Sequence, residues 1–293
     1  VDVDDQATGR ARHHRAAPEV PGIQVAVARA TVEIVSPEGR RAPVVAHVPH
    51  ASTVIPDEVR SELLISPAEQ ATELLRLTDW YTDELFAGLR EHGATMLVNR
   101  LSRLVFDPER FLDDSAEPMA ARGQGVVYWL GSELQLLRAA SAELRSRRVA
   151  EHYRPYHAAL DSLVAELLAE FGTCTVIDCH SFATEPLRSE IDQSPDRPDI
   201  CIGTDPAHTP PELAEALESA FRAAGLRVDT NTPFAGTFVP SGFLRRDERV
   251  HSVMIEVRRG LYIDEATAGK LGTFDSVANT ITSAIGEALA ATF

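Results

Sequence analysis

The chain has 293 residues, of which 44% are hydrophobic and 25% charged; Asp+Glu at 44 exceed Lys+Arg at 28, leaving a net charge of -16. That composition supports one large α/β domain or two small ones. A surface so acidic repels phosphate backbones and anionic lipid, which argues against nucleic acid and membranes as partners. Any anionic small molecule would need its own basic pocket. Cys174, Cys179 and Cys201 form no CxxC pair, which excludes a disulfide scaffold and a thiolate zinc site and fits a reducing cytoplasm.

In chain order, residues 1–22 are polar with no apolar signal core and read as a mobile tail, leaving 23–293 as a single domain. A β-rich strand is expected at 42–48, ending at Pro49-His50-Ala51-Ser52. Residues 67–93 read as helical from the spacing of Leu74, Leu77, Leu85 and Leu89, with Gly93 as the stop. Strands follow at 94–98 and 101–106, then a polar loop over 113–125. Residues 132–171 read as a long helical region interrupted near Pro155. The run 173–178 is an apolar strand leading into Cys179-His180-Ser181. A short strand at 199–202, a helix at 211–224, a strand at 250–257 and a helix at 265–289 complete the chain. Helices alternating with buried strands give an α/β architecture with a mixed, mostly parallel sheet.

His50, His180 and Glu256 each fall at or just past the end of an expected strand, where open α/β sheets collect ligands. Two imidazoles with Asp79 match a catalytic zinc set that leaves a position for water. Glu256 would then take the water's proton and pass it to the leaving amine. Bland readings stand beside these: a hydrogen-bonded structural histidine, a helix-capping Asp79, and a Glu256 paired with Arg258 or Arg259. Arg100, Arg103 and Arg110 supply the basic pocket, since guanidinium forks grip carboxylates and stabilise oxyanions. Equally open is their pairing with Asp107, Glu109, Asp113 and Asp114 on the surface. Tyr156 and His157 are further candidates, with core packing around Pro155 as the ordinary account.

Several motifs together resemble the N-formylglutamate amidohydrolase family: Pro49-His50-Ala51-Ser52, residues 78–86, Ser102 to Arg110, Pro155-Tyr156-His157 and residues 177–182. So do Arg197-Pro198-Asp199-Ile200, residues 231–236 and Ile255-Glu256-Val257-Arg258-Arg259, all in the family's order from about residue 50 to 264. The resemblance implies a zinc carboxypeptidase-like fold and a single zinc ion that assists hydrolysis of an amide beside a carboxylate. It implies His50 and His180 as metal ligands, Glu256 as general base, Arg103 as oxyanion stabiliser and Arg110 as the grip on a substrate carboxylate. Asp79 as third ligand is inferred, because Thr53 stands where relatives carry the Glu of His-x-x-Glu. Glu109 departs from the Asn that usually precedes the gripping arginine, removing an amide donor and adding a negative charge. The expected reaction is cleavage of N-formyl-L-glutamate to formate and glutamate, as in histidine degradation. Alternatives are a peptidase or amidase acting on a larger acylated substrate, and a non-catalytic binding protein of the same fold.

Overall fold

A computed structural model describes residues 31–292 of the chain. The expected tail at 1–22, and a domain start at residue 23, lie outside the described residues.

Seven strands form one sheet in the order β1-β3-β2-β4-β7-β5-β6. They are β1 Val32–Val35, β2 Val44–Val48, β3 Thr95–Asn99, β4 Cys174–Phe182, β5 Ile200–Thr204, β6 Val228–Thr230 and β7 Val250–Arg258. The central four, β3, β2, β4 and β7, run parallel. At one edge β1 is antiparallel to β3; at the other β5 is antiparallel to β7 and parallel to β6. A two-residue hairpin pair, β8 Ile263–Asp264 and β9 Gly269–Lys270, lies apart from this sheet. The architecture is therefore the expected α/β one with a mixed, mostly parallel sheet.

Helices cover both faces. On one, α3 (Thr82–Leu85), α6 (Pro211–Ala223) and α7 (Phe274–Thr292) bury Leu85, Leu213, Leu217, Phe221, Ile281 and Ile285 against Ala46, Ile177, Val253 and Ile255. On the other, α1 (Asp57–Arg60), α2 (Pro67–Leu77) and α5 (Arg154–Phe171) pack on Val45, Cys174, Val176 and Val250. Leu160, Leu163, Val164 and Leu167 of α5 recur at i, i+3, i+4 and i+7 and are nearly or fully buried. Each such side chain contributes about 1.5–3 kcal/mol of burial.

Several expected elements change. The helix at 67–93 is broken: α2 starts at a Ser66–Glu69 capping box with Pro67 in its first turn and stops at Leu77. Asp79 therefore sits in the gap before α3, where its N–H bonds back to the His50 carbonyl at 3.1 Å. Residues 101–106 form turns and no strand; Leu101, Leu104, Val105 and Phe106 are buried by packing under the α5 face without a ladder partner. The helical region begins at Ala142, after a Ser141 cap, so 132–141 is not helical. The interruption is a π-turn at Val149–Tyr153 following α4 (Ala142–Arg148), and Pro155, which has no N–H to donate, takes the first turn of α5. The last helix starts at Phe274, because Asp264 to Gly272 turns through the β8–β9 hairpin. Strand β4 runs on to Phe182, four residues past the expected end, so His180 lies inside it.

Gly203 marks a close approach: a Cβ there would lie 2.0 Å from the carbonyl oxygen of Gly236. Asn231 ties that loop to β5 by accepting from Thr204 N at 2.9 Å and Gly236 N at 3.2 Å. Gly203→Ala should thus overpack the β5 edge and cost about 1–3 kcal/mol in chemical denaturation. Gly272→Ala, with open space around it, is the control and should be near neutral.

Candidate active site

Side chains alternate along a strand, so one face takes every second residue. In β2, β4 and β7 the α5 face begins apolar, with Val45, Cys174, Val176 and Val250. Farther along the same face come His47, Asp178, His180 and Glu256. The register aligns His47 with Asp178 and His180 with Glu256 across parallel neighbours. Helix packing thus gives way to a polar cluster at the carboxyl ends of the strands. The connection from β3 to α4 folds over that end and supplies Arg103, Asp107, Glu109, Arg110 and Tyr128.

Asp107 is fully buried and holds five groups. His50 Nε2 donates to its Oδ1 at 2.9 Å, as does Glu109 N at 3.0 Å. Arg103 donates to Oδ2 at 2.9 Å, Tyr128 at 2.6 Å, and an Arg110 nitrogen lies 3.5 Å away. Burial would raise this carboxyl, but Arg110, His50 and Arg103 outweigh it and hold the pKa well below the usual range. Arg110 also donates to the Gln124 carbonyl and the Tyr128 hydroxyl, which fixes its fork.

His180 is bracketed by carboxylates. Its Nδ1 faces Asp79 Oδ2 at 3.1 Å, and its Nε2 faces Glu109 Oε1 at 3.0 Å and Asp178 Oδ1 at 3.1 Å. Burial would lower its pKa, yet Glu109 and Asp178 raise it well above the ordinary value. His50 is raised too, against burial and Arg103, by Asp107 and Glu109. Arg259 fixes Asp79 through a 2.9 Å bond. The two imidazole rings stand 5.1 Å apart, and His50 Nδ1 is buried with no hydrogen-bond partner among the described residues. His50, His180 and Glu109 place one donor atom each within 4.8 Å of one another; His47, Glu109 and Asp178 form a second such group.

Glu256 is buried, and its Oε2 likewise has no partner among the described residues. The pairing with Arg258 or Arg259 does not occur: Arg258 bonds Asp199, and Arg259 bonds Asp79. Burial pushes the Glu256 carboxyl up to about 8; His180 and Arg259 oppose the rise, and the Asp79 and Glu109 charges add to it.

Not every expected residue joins the cluster. Arg100 points its guanidinium at Glu33 and Asp83, at 2.6 and 2.7 Å, bracing β1 and α3 instead of a pocket. Tyr156 is fully buried and donates its hydroxyl to His47 Nε2 at 2.6 Å, while His47 Nδ1 donates to Asp178 at 2.8 Å. His157 donates to the Pro108 carbonyl at 2.8 Å, holding the backbone beside Glu109. Burial lowers its pKa to about 4, so it stays neutral. Sequence reasoning missed His47, Asp178 and Tyr128; it named Asp107 and Glu109 as surface partners of the arginines, whereas the Arg103–Asp107 pair is buried in the cluster. His47 and Asp178 carried a signal, being polar residues on the buried face of apolar strands; Tyr128 carried none.

Loss of the Asp107 charge would leave two guanidiniums buried without their anion. Asp107→Asn should therefore cost about 3–5 kcal/mol by denaturant titration. Glu33→Gln, at the half-exposed pair with Arg100, should cost about 0–1 kcal/mol. A loss at Asp107 no larger than at Glu33 would remove it as the anchor. Because its folded pKa is depressed, Asp107 contributes fully above its unfolded value near ~3.9. That contribution is lost as pH falls from there through the folded value.

Residues 42–263 match the family model for N-formylglutamate amidohydrolase. The chain is 32% identical over 242 residues to an N-formylglutamate deformylase of Pseudomonas aeruginosa, covering 80% of this chain and 86% of that protein. A second N-formylglutamate deformylase, from Pseudomonas putida, is 30% identical over 234 residues, covering 77% and 83%. The crystal structure of N-formylglutamate amidohydrolase from Ralstonia eutropha JMP134 superposes with a TM-score of 0.73 at 27% identity, covering 88% of this chain and 96% of that one. A gene product of Agrobacterium tumefaciens, Atu2144, shares the fold at TM-score 0.63 and 22% identity. With a family model matched over most of its length and two curated relatives at 30% identity or more, this chain belongs to the N-formylglutamate amidohydrolase family.

Proposed function

We propose that the chain hydrolyses N-formyl-L-glutamate to formate and glutamate with one zinc ion held by His50 and His180. The carrying observation is the pair of buried, unsatisfied atoms on one cluster, His50 Nδ1 and Glu256 Oε2. Donor chemistry supports a cation there. The carboxylates of Asp79, Asp107, Glu109 and Asp178 crowd His50 and His180 and raise both imidazoles, so a divalent ion can replace the protons those rings hold. Each imidazole has a carboxylate on its other nitrogen, Asp107 behind His50 and Asp79 behind His180, which fixes the tautomer for a ligand. That assigns Asp79 an orienting role. When bound, zinc polarises a carbonyl oxygen and lowers the pKa of water to about 7.

The chain's own residues carry the rest. Glu256 takes the proton of the attacking water as the new C–O bond forms. It then delivers that proton to the amine nitrogen as the C–N bond breaks. Arg103, whose buried Nε has no partner among the described residues, stabilises the oxyanion. Arg110 grips the carboxylate of the anionic substrate, which meets local positive charge inside an otherwise acidic molecule. Asp107 keeps both guanidiniums in place. Three free, buried cysteines suit a cytoplasmic setting. Among the described residues no helix is long and apolar enough to cross a membrane.

Chelator-stripped protein should lose turnover of N-formyl-L-glutamate and regain it with zinc, while short N-acyl peptides react poorly. Preference for the peptides would transfer the site to a larger substrate. His50→Ala and His180→Ala should each lower zinc occupancy and abolish turnover; full retention of metal in both would overturn the site. Zinc competes with protons at two imidazoles of raised pKa, so its affinity should fall as pH drops through that raised range.

Glu256→Gln should keep zinc and KM while lowering kcat by about 10²–10⁴. Turnover within a few-fold of wild type would remove the general-base role. Loss of Arg110 should mainly raise KM, and loss of Arg103 mainly lower kcat. Equal, small effects would return both arginines to a structural role.

A further inference from the structure

The geometry points to Glu109 as the third protein ligand of the metal, an inference that rests on the metal-dependent reading above. Glu256, with its open Oε2, carries the general-base role; the three remaining carboxylates are committed elsewhere. Asp107 sits on His50 Nε2, away from the open Nδ1. Asp79 gives Oδ1 to Arg259 and Oδ2 to His180 Nδ1 and Ser181 N, and that Oδ2 also stands 3.7 Å from His50 Nδ1. What separates it from Glu109 is that Arg259 already takes its charge, and that an ion on His180 Nε2 would lie across the ring from it. Asp178 divides Oδ1 between His47 and His180 and accepts Phe238 N on Oδ2.

Glu109 differs in its company. Its ion-pair contacts among the described residues are all to imidazole nitrogens: His180 Nε2 at 3.0 Å, His47 Nδ1 at 3.6 Å and His50 Nδ1 at 3.7 Å. Among the described residues no guanidinium pairs with it. One oxygen faces each of the two proposed histidine ligands. Ligands bonded at ~2.0–2.2 Å around a tetrahedral ion lie about 3.4 Å apart, and the 3.0 and 3.7 Å separations bracket that spacing. The backbone around Glu109 is already fixed, by Asp107 on its N–H, His157 on the Pro108 carbonyl and Tyr153 on the Arg110 carbonyl.

A free Glu109 charge would repel the anionic substrate proposed above. As a ligand it would be offset by the dication.

The test is titration of chelator-stripped, full-length chain with Co²⁺ and with Zn²⁺, reading affinity and the visible Co²⁺ spectrum, with thermal melts of the metal-free forms to check folding. Glu109→Gln should weaken binding by more than about 100-fold and alter the spectrum. Asp79→Asn should fall within the roughly 10- to 100-fold loss of an orienting partner. Glu109→Asp, which keeps a carboxylate donor, should bind more tightly than Glu109→Gln. Affinity and spectrum unchanged in Glu109→Gln, or a larger loss in Asp79→Asn, would overturn the assignment and leave the two-histidine site standing. Unchanged binding in His50→Ala and His180→Ala would instead remove the metal reading itself.

Discussion

The burial of Asp107 is the constraint around which the site is organised. A carboxylate with no access to water survives only where charge and hydrogen bonds replace hydration. Here His50, Arg103, Arg110, Tyr128 and the Glu109 amide provide that replacement. The same contacts set the ring orientation of His50 and hold two flexible arginines in fixed positions. Every group assigned to bind metal or substrate from the β3–α4 connection is therefore positioned through one buried anion. That connection has no long helix or strand of its own; its order comes from this hub and from Leu104, Val105 and Phe106 beneath it.

The sheet contributes the other half by parity and length. Strands β4 and β7 run on past their apolar positions, so the face that carries valines at one end carries His180 and Glu256 at the other. Packing that buries apolar residues thus also desolvates Glu256, raising its carboxyl to about 8. Position and basicity have the same origin, the depth of the strand end under the folded connection.

Charge distribution reconciles an acidic molecule with the proposed anionic substrate. The net charge of -16 lies over a whole surface, whereas Arg103, Arg110 and Arg259 converge at one strand edge. Each guanidinium there is partnered by a buried carboxylate, so the site holds opposed charges at short range. The proposed cation would take the place of imidazole protons there and offset the charge of Glu109 beside an anion.

The order and type of the main elements were legible from sequence, because hydrophobic period and punctuation by Pro, Gly and Ser act locally. So were His50, His180, Glu256, Arg103 and Arg110, since such residues at strand ends and in a short basic run carry a recognisable pattern, which the family motifs reinforce. Tertiary structure alone decided their partners. Arg100 lies three residues from Arg103 yet faces Glu33 and Asp83, and no local pattern separates the two. Asp79 and Glu109 are both carboxylates near histidines, and only the fold sets Asp79 on His180 Nδ1 with Arg259 beside it and Glu109 on His180 Nε2 with imidazoles alone. Residues 101–106 had strand-like composition and became turns, because a strand needs a neighbour's backbone and this segment found burial without one. Local sequence sets what a segment prefers. Which atoms meet across 50 to 100 residues depends on packing, and the chemistry of this site lies in those meetings.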